Sequence, residues 1–210
     1  METTAESNSF YQSDKRLAFL LLCLVTFLLL YTKKAFIESE TAVFEFLQDR
    51  PEGGYLDMLS AIQFITIPVI YLWKFTIIAF VIWVGCFMFG YKVTYSNCWA
   101  IALTSEFIFI LPEFIKILWF TVVVTDPTYN EVRMFYPLSL SNFFDFEEID
   151  KRYVYPLKAL NLFEPIYWLM LINGVHAFAR KQVKIAAYIV LSSYVLLFLL
   201  WILFYIIVYD

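Results

Sequence analysis

The feature that most constrains this chain is a stretch of 25 residues without a single charged side chain, covering residues 185–209. About 20 apolar residues in helical conformation are enough to cross the hydrocarbon layer of a bilayer. The stretch therefore predicts a transmembrane helix. The composition extends this conclusion to the whole chain, because 62% of its 210 residues are hydrophobic and only 16% are charged. A soluble domain carries about 25% charged residues.

Four further apolar runs predict four more membrane-crossing helices. The fold class predicted is an all-α membrane protein, a bundle of about five transmembrane helices that forms a single membrane domain. The predicted spans cover residues 17–37, 61–90, 99–124, 160–179 and 185–209, and the two longer outer loops cover residues 38–60 and 125–159.

The run at 61–90 is too long for an ordinary span and contains Pro68. Two interpretations are open. The first choice is one tilted helix with a kink at Pro68. The alternative is an interfacial helix that leads into a shorter span.

Basic residues near the ends of the runs indicate the orientation. The short connections at 91–98 and 180–184 are basic. The segments expected on the opposite side, 32–60 and 125–159, are net acidic, although the first contains Lys33 and Lys34. Cytoplasmic segments of membrane proteins are enriched in Lys and Arg. We therefore expect a multi-pass protein of the cell inner membrane, with the N-terminus in the cytoplasm and the C-terminus outside.

Ionisable side chains inside the predicted spans are the candidate functional residues, because a charge in hydrocarbon is costly unless it is paired or hydrated. Glu106, Glu113 and Lys116 are spaced at i, i+7 and i+10 and share roughly one face of a helix. Glu113 and Lys116 are also spaced to pair directly. Lys74 is a possible partner for Glu106 or Glu113. His176, the only histidine, is the fifth candidate.

These polar residues have two interpretations. The structural one is interhelical pairing that fixes the geometry of the bundle, and His176 is then a satisfied histidine near a helix end. The functional one is a proton or solute path. The structural interpretation is favoured, because a path needs several stacked polar helices and only the third and fourth runs contribute many polar residues. At the start of the fourth run, Asn161 and Glu164 predict a capping box.

The outer loop at 125–159 is rich in aromatic residues, and it is the expected contact surface for a partner protein or for the membrane interface. The candidate residues are Phe143, Phe144, Phe146, Tyr153 and Tyr155.

Catalytic, cofactor and metal sites are not predicted. A single histidine excludes metal sites built from several histidines, and no Gly-rich phosphate loop is present. Glu147, Glu148 and Arg152 match an EExxxR pattern of membrane proteases, but the further histidine-bearing motifs of those enzymes are missing. The net charge of −4 comes without a basic block, so nucleic-acid binding is not expected.

Two segments resemble the Yip family of five-helix integral membrane proteins. They are Leu-Asn-Leu-Phe-Glu-Pro-Ile-Tyr-Trp-Leu-Met-Leu-Ile-Asn-Gly-Val at 160–175, followed by a basic turn and an apolar run, and Gly-Tyr-Lys-Val-Thr-Tyr-Ser-Asn-Cys-Trp-Ala at 90–100. The chain is most similar to the short bacterial members, since few residues precede its first span. The resemblance implies five spans, a cytosolic N-terminus and a non-enzymatic bundle that organises membrane proteins.

The function expected from the sequence is that of a non-enzymatic scaffold or accessory subunit of a membrane protein complex, whose partners are the lipid bilayer and other membrane proteins. The alternative is a transporter or permease component with a polar path lined by the third and fourth helices.

Overall fold

The computed structural model describes residues 11, 14–38, 51–124, 127–144, 149–179 and 182–209. Within these ranges the protein is all-helical, with 86% of the described residues in helices and no strand. The one β-type pairing in these ranges is an isolated antiparallel bridge between Ser139 and Asn161. The predicted all-α class is therefore confirmed.

Three helices in the described part of the chain are long and apolar enough to cross a membrane. Helix α1 begins at the N-cap Asp14 and ends in a π-helical turn, α2 is the longest helix, and α7 contains a π-helical turn. Their bounds are α1 Lys15–Lys33 with its π turn Lys34–Glu38, α2 Pro51–Met88, and α7 Val183–Val190, Leu191–Val195 and Leu196–Val208.

Helix α2 is a single element of 38 residues with Pro68 inside it. The first interpretation of the run at 61–90, one long helix rather than two segments, is confirmed. The helix also begins ten residues before that run.

The predicted spans at 99–124 and 160–179 form shorter helical pieces. Helix α3 is interrupted, and α6 has 17 residues, which corresponds to about 25 Å against a hydrocarbon layer of roughly 30 Å. The five-span bundle is thus not confirmed by helix length. The pieces of α3 are Tyr95–Glu106, the 3-10 turn Phe107–Phe109, Ile110–Leu118 and the π turn Trp119–Val123, and α6 is Phe163–Ala179.

Pro112 explains the interruption of α3. A proline has no N–H to donate to the carbonyl of the residue four positions earlier, and its ring collides with that carbonyl. The carbonyl concerned belongs to Ile108, which lies in the middle of the 3-10 turn Phe107–Phe109. The interruption places Glu106 at the C-terminal end of the first half of α3.

The connection between α3 and α6 contains two short helices and a 3-10 turn. They are α4 Tyr129–Met134, the turn Leu140–Phe143 and α5 Lys151–Ala159. Because consecutive long helices run in opposite directions, this connection lies at the same end of the bundle as the end of α1, the start of α2 and Tyr209. We call this end the loop end. The opposite end, which holds Lys15 and the tight turn at Gly90, is the turn end.

The core lies towards the turn end, where α2, α3, α6 and α7 pack closely. Two of these close contacts between helices depend on a glycine. A Cβ on Gly85 would lie 2.9 Å from Ser193 Cβ, and a Cβ on Gly174 would lie 2.6 Å from Ile101 Cγ2. Real Cβ contacts are not this short, so both positions require glycine. Small residues at helix interfaces are a common means of close packing in membranes.

Candidate functional site

A cavity of about 1180 Å³ opens in the loop-end half of the bundle. Residues of all seven helices described above, α1 to α7, line it, together with the connections between α4 and α5 and between α5 and α6. This volume exceeds that of a typical drug-sized ligand pocket, and pockets for polar ligands combine apolar walls with a few placed polar groups. The cavity is therefore the main candidate site in the described part of the protein.

Charged and aromatic-polar side chains dominate the cavity. Eight of its lining residues are Lys or Glu and five are Tyr, an unusual density for a membrane-embedded surface. They are Lys33, Lys74, Lys116, Lys151 and Lys158, Glu106, Glu113 and Glu164, and Tyr71, Tyr136, Tyr155, Tyr205 and Tyr209.

Helix geometry gives the depth of the cavity. Glu106 and Lys116 are ten residues apart on α3, which at 1.5 Å per residue is about 15 Å along the axis. On α7, Phe198 and Tyr209 both line the cavity and are separated by a similar rise. The hydrocarbon layer is roughly 30 Å thick. The cavity is therefore about half as deep as this layer is thick.

The ion pair between Lys74 and Glu106 forms the floor. Lys74 Nζ donates to Glu106 Oε1 at 2.5 Å, and the Glu106 side chain is only 4% exposed. Lys74 Nζ also lies 4.9 Å from the centre of the Phe109 ring. The C-terminal end of the first half of α3, which carries partial negative charge, adds to the attraction for the Lys74 ammonium group. The two partners predicted for Lys74 were Glu106 and Glu113, and the structure shows the pair with Glu106.

Three buried polar atoms near the floor have no hydrogen-bond partner. They are Ser105 Oγ, Glu106 Oε2 and the Tyr167 hydroxyl. Buried polar groups are paired in the great majority of protein structures, and an unpaired one is costly in an apolar medium. The Glu106 side chain lines the cavity, but its oxygen Oε2 is buried beneath the cavity surface.

Asn161 begins α6 as the sequence predicts. Its Oδ1 accepts hydrogen bonds from the backbone N–H groups of Phe163 at 2.9 Å and Glu164 at 3.1 Å. The second half of the capping box is absent, because Asn161 N–H donates to Ala159 O. Glu164 Oε2 instead accepts from Trp168 Nε1 at 3.2 Å, and the carboxyl group of Glu164 lines the cavity.

The second half of α3 is tied to the loop-end connection. Lys116 Nζ donates to Phe135 O at 3.0 Å, and the rings of Trp119 and Phe135 stack with centroids 5.6 Å apart. Glu113 lines the cavity one helical turn before Lys116. The predicted polar face of α3 therefore faces the cavity along its length.

The aromatic candidates of the outer loop are divided between two environments. Phe143 is 82% exposed and Phe144 53%, whereas Tyr155 lines the cavity and accepts a hydrogen bond from Trp201 Nε1 at 3.2 Å. Tyr153 is exposed and lies beside Arg152. Phe146 lies outside the described residues.

His176 is half-buried near the turn end of α6 and is not among the residues that line the cavity. The described residues contain no group of three or more His, Cys, Asp or Glu side chains able to hold a metal ion.

Sequence reasoning missed about half of the ionisable lining. Lys33, Lys151, Lys158 and Glu164 were not among the intramembrane candidates, and neither were the tyrosines. A signal for Lys33 existed, because a lysine at the end of an apolar run can turn back towards the bundle as well as towards lipid headgroups.

Comparison with family models, with characterised proteins and with solved structures found no match for this chain. The resemblance to the Yip family therefore stays a prediction.

Proposed function

We propose that this protein is a membrane-embedded binding component of a transport system, which takes up a polar ligand in the cavity at its loop end. The observation that carries the proposal is the cavity of about 1180 Å³ with eight Lys and Glu side chains on its walls.

The interrupted helix supports the same function. Secondary transporters bind their substrates near the bilayer midplane, at the breaks of discontinuous helices. Here the 3-10 turn Phe107–Phe109, through which the backbone stays helical, directly follows the floor residue Glu106, and Phe109 also lines the cavity. The core packs closely towards the turn end, and the cavity lies in the other half of the bundle.

The proposal includes five spans in the inner membrane, with α3 and α6 as the third and fourth. The interrupted pieces of α3 follow one another from Tyr95 to Val123 and expose apolar residues such as Leu111 and Phe114 away from the cavity. With the N-terminus in the cytoplasm, the loop end and the cavity face outwards.

Water access tests this proposal. A Glu113→Cys variant should react with a membrane-impermeant maleimide added outside intact cells, because Glu113 lines the cavity. The matched control is Phe114→Cys, at the same height on α3 but 49% exposed on the surface away from the cavity. A cysteine in contact with lipid has no water with which to ionise, and it should stay unlabelled.

Labelling of Glu113→Cys from outside, with none of Phe114→Cys, supports both the cavity and the orientation. Labelling only in inside-out vesicles would show that the loop end faces the cytoplasm. Equal reactivity of the two variants, or no reaction of either from any side, would contradict the proposed cavity.

A second candidate function is that of an accessory subunit which binds another membrane protein through the loop-end aromatic surface. The 82% exposure of Phe143 favours it, since large exposed apolar side chains often mark protein contacts. A photo-crosslinking amino acid at Phe143 should then form one adduct of defined mass. The control position is Phe87, which is 74% exposed near the turn end. Identical adduct patterns at both positions would count against this candidate.

A further inference from the structure

The turn end of the bundle carries exposed basic side chains from three separate elements. Arg16 lies at the start of α1, Lys92 in the turn between α2 and α3, and Lys184 at the start of α7. All three are exposed, and in the described part of the protein their side chains form no hydrogen bond or ion pair. Their positive charges are therefore available to a ligand from outside the bundle.

A pair of hydrogen bonds joins α1 to α3 at this end. Lys15 Nζ donates to Ser96 O at 2.9 Å and to Ser96 Oγ at 2.6 Å. Arg16 follows Lys15 directly, and Lys92 precedes Ser96 by four residues in the turn that leads into α3. The two elements that carry Arg16 and Lys92 are thus held side by side.

Helix α7 reaches the same end through its contact with α2. A Cβ on Gly85 would collide with Ser193, which shows that the two helices meet at this point. Lys184 lies nine residues before Ser193 and Lys92 seven residues after Gly85, so both lie beyond the contact on its turn-end side. The three basic residues therefore belong to one end of the molecule.

Carboxylates are scarce at this end. In the described ranges the one carboxylate there is Asp14, which accepts a hydrogen bond from the backbone N–H of Arg16 at 3.0 Å and so caps α1. The other carboxylates of these ranges lie between the floor of the cavity and the loop end. They are Glu38, Glu52, Asp57, Glu106, Glu113, Glu131, Asp150 and Glu164. An anion that approaches the turn end therefore meets mainly positive charge.

Exposed apolar and aromatic residues place Lys92 at the level of the lipid headgroups. Phe87 and Met88, the last two residues of α2, are 74% and 77% exposed. Lys92 then lies between Tyr91 and Tyr95, and tyrosine is enriched at the interface between membrane and water. Side chains suited to acyl chains are thus followed, within a few residues, by a lysine at the depth of the phosphates.

Anionic phospholipids match this surface better than other anions. A lysine or arginine near an anionic membrane surface strengthens binding about fivefold. Free phosphate would contact the basic residues alone, and an acidic protein segment would leave Phe87 and Met88 exposed. A phospholipid contacts both groups of residues, because its phosphate and its acyl chains belong to one molecule.

We propose that the turn end is a binding surface for anionic phospholipids. The headgroup phosphates bind at Arg16, Lys92 and Lys184, and the acyl chains lie against the exposed apolar residues at the end of α2. This inference is independent of the function proposed for the cavity, which lies in the opposite half of the bundle.

Native mass spectrometry of the purified full-length protein, depleted of lipid in a neutral detergent, tests the proposal. Dioleoyl-phosphatidylglycerol and dioleoyl-phosphatidylcholine have the same acyl chains and differ in net charge. Phosphatidylglycerol should bind about fivefold more tightly. This preference should decrease when the salt concentration is raised, because interactions between exposed charges are screened.

Variants locate the preference. The triple variant Arg16→Gln, Lys92→Gln and Lys184→Gln should bind the two lipids equally. Lys151→Gln, which removes an exposed lysine at the loop end, is the matched control and should keep the full preference. All four side chains are exposed, so the substitutions should leave the fold intact, and an unchanged helical circular dichroism spectrum checks this.

Equal binding of the two lipids by the unmodified protein would overturn the proposal. So would a loss of preference in Lys151→Gln as large as that in the triple variant. Glycerol 1-phosphate should not displace phosphatidylglycerol, and full displacement would show a site for phosphate rather than for lipid. Tighter binding of oligoglutamate than of phosphatidylglycerol would identify an acidic protein segment as the ligand and contradict the lipid assignment. Labelling of Glu113→Cys tests the cavity separately, so either proposal can fail without the other.

Discussion

Replacing Lys74 with methionine is expected to lower the free energy of unfolding by about 2 kcal/mol. The change leaves the carboxylate of Glu106, only 4% exposed, without the ammonium group that now pairs with it. Breaking a buried ion pair from one side is strongly destabilising, because the remaining charge is uncompensated in an apolar environment. The Lys74 side chain is 38% exposed to the cavity, so water in the cavity should reduce the loss.

A double-mutant cycle separates the pair from other effects of the substitution. The free energy of unfolding is measured in mixed micelles for Lys74→Met, Glu106→Leu and the two together. The double variant should be more stable than Lys74→Met alone, because an apolar pair in place of a buried ion pair is often neutral or stabilising. Additive losses would show that Lys74 and Glu106 do not interact, in disagreement with the 2.5 Å contact between Lys74 Nζ and Glu106 Oε1.

The second large effect is expected from Gly174→Ala. The new Cβ would lie 2.6 Å from Ile101 Cγ2 and 2.9 Å from Ile101 Cγ1, so α3 and α6 would have to move apart. Excess volume in a packed core costs about 1–3 kcal/mol, and we expect the upper part of this range because both Ile101 branches are contacted. The measurement is again the free energy of unfolding in mixed micelles.

Ile101→Ala provides the matching test, because it removes the atoms with which the new Cβ collides. Combined with Gly174→Ala, it should destabilise the protein less than the sum of the two single changes, with an interaction energy of about 1 kcal/mol or more. Asn173→Ala, an exposed neighbour on α6, should have little effect. A Gly174→Ala variant as stable as the parent would contradict the close contact of α3 with α6.

The two predictions concern neighbouring layers of the bundle. Ile101 lies five residues before Glu106 on α3, about 7.5 Å closer to the turn end. The contact between Gly174 and Ile101 thus belongs to the packed region beneath the cavity, and the Lys74–Glu106 pair forms its upper surface. Changes to either should therefore alter the floor of the cavity as well as stability.

The sequence by itself determined two things about this protein: its surroundings, a lipid bilayer, and its fold class, all-α. Long uncharged runs such as 185–209 can only be accommodated in a lipid environment, and within it every backbone polar group must be satisfied inside a helix. The same reasoning located α1, α2 and α7, predicted Asn161 as a cap, and named Lys74 as a partner for Glu106. These features depend on local chemistry, on helical spacing or on the high cost of an unpaired charge in lipid.

Only the tertiary structure decided which polar residues meet. Lys33 looked like an interfacial anchor, and Lys151 and Lys158 belonged to a loop, yet all three line one cavity with Glu106 and Glu164. Their separation along the chain carries no periodicity that a sequence pattern could reveal. The close contacts at the two glycines arise from packing between helices. Among the described residues, the helices pack closely towards the turn end, and the cavity lies in the loop-end half.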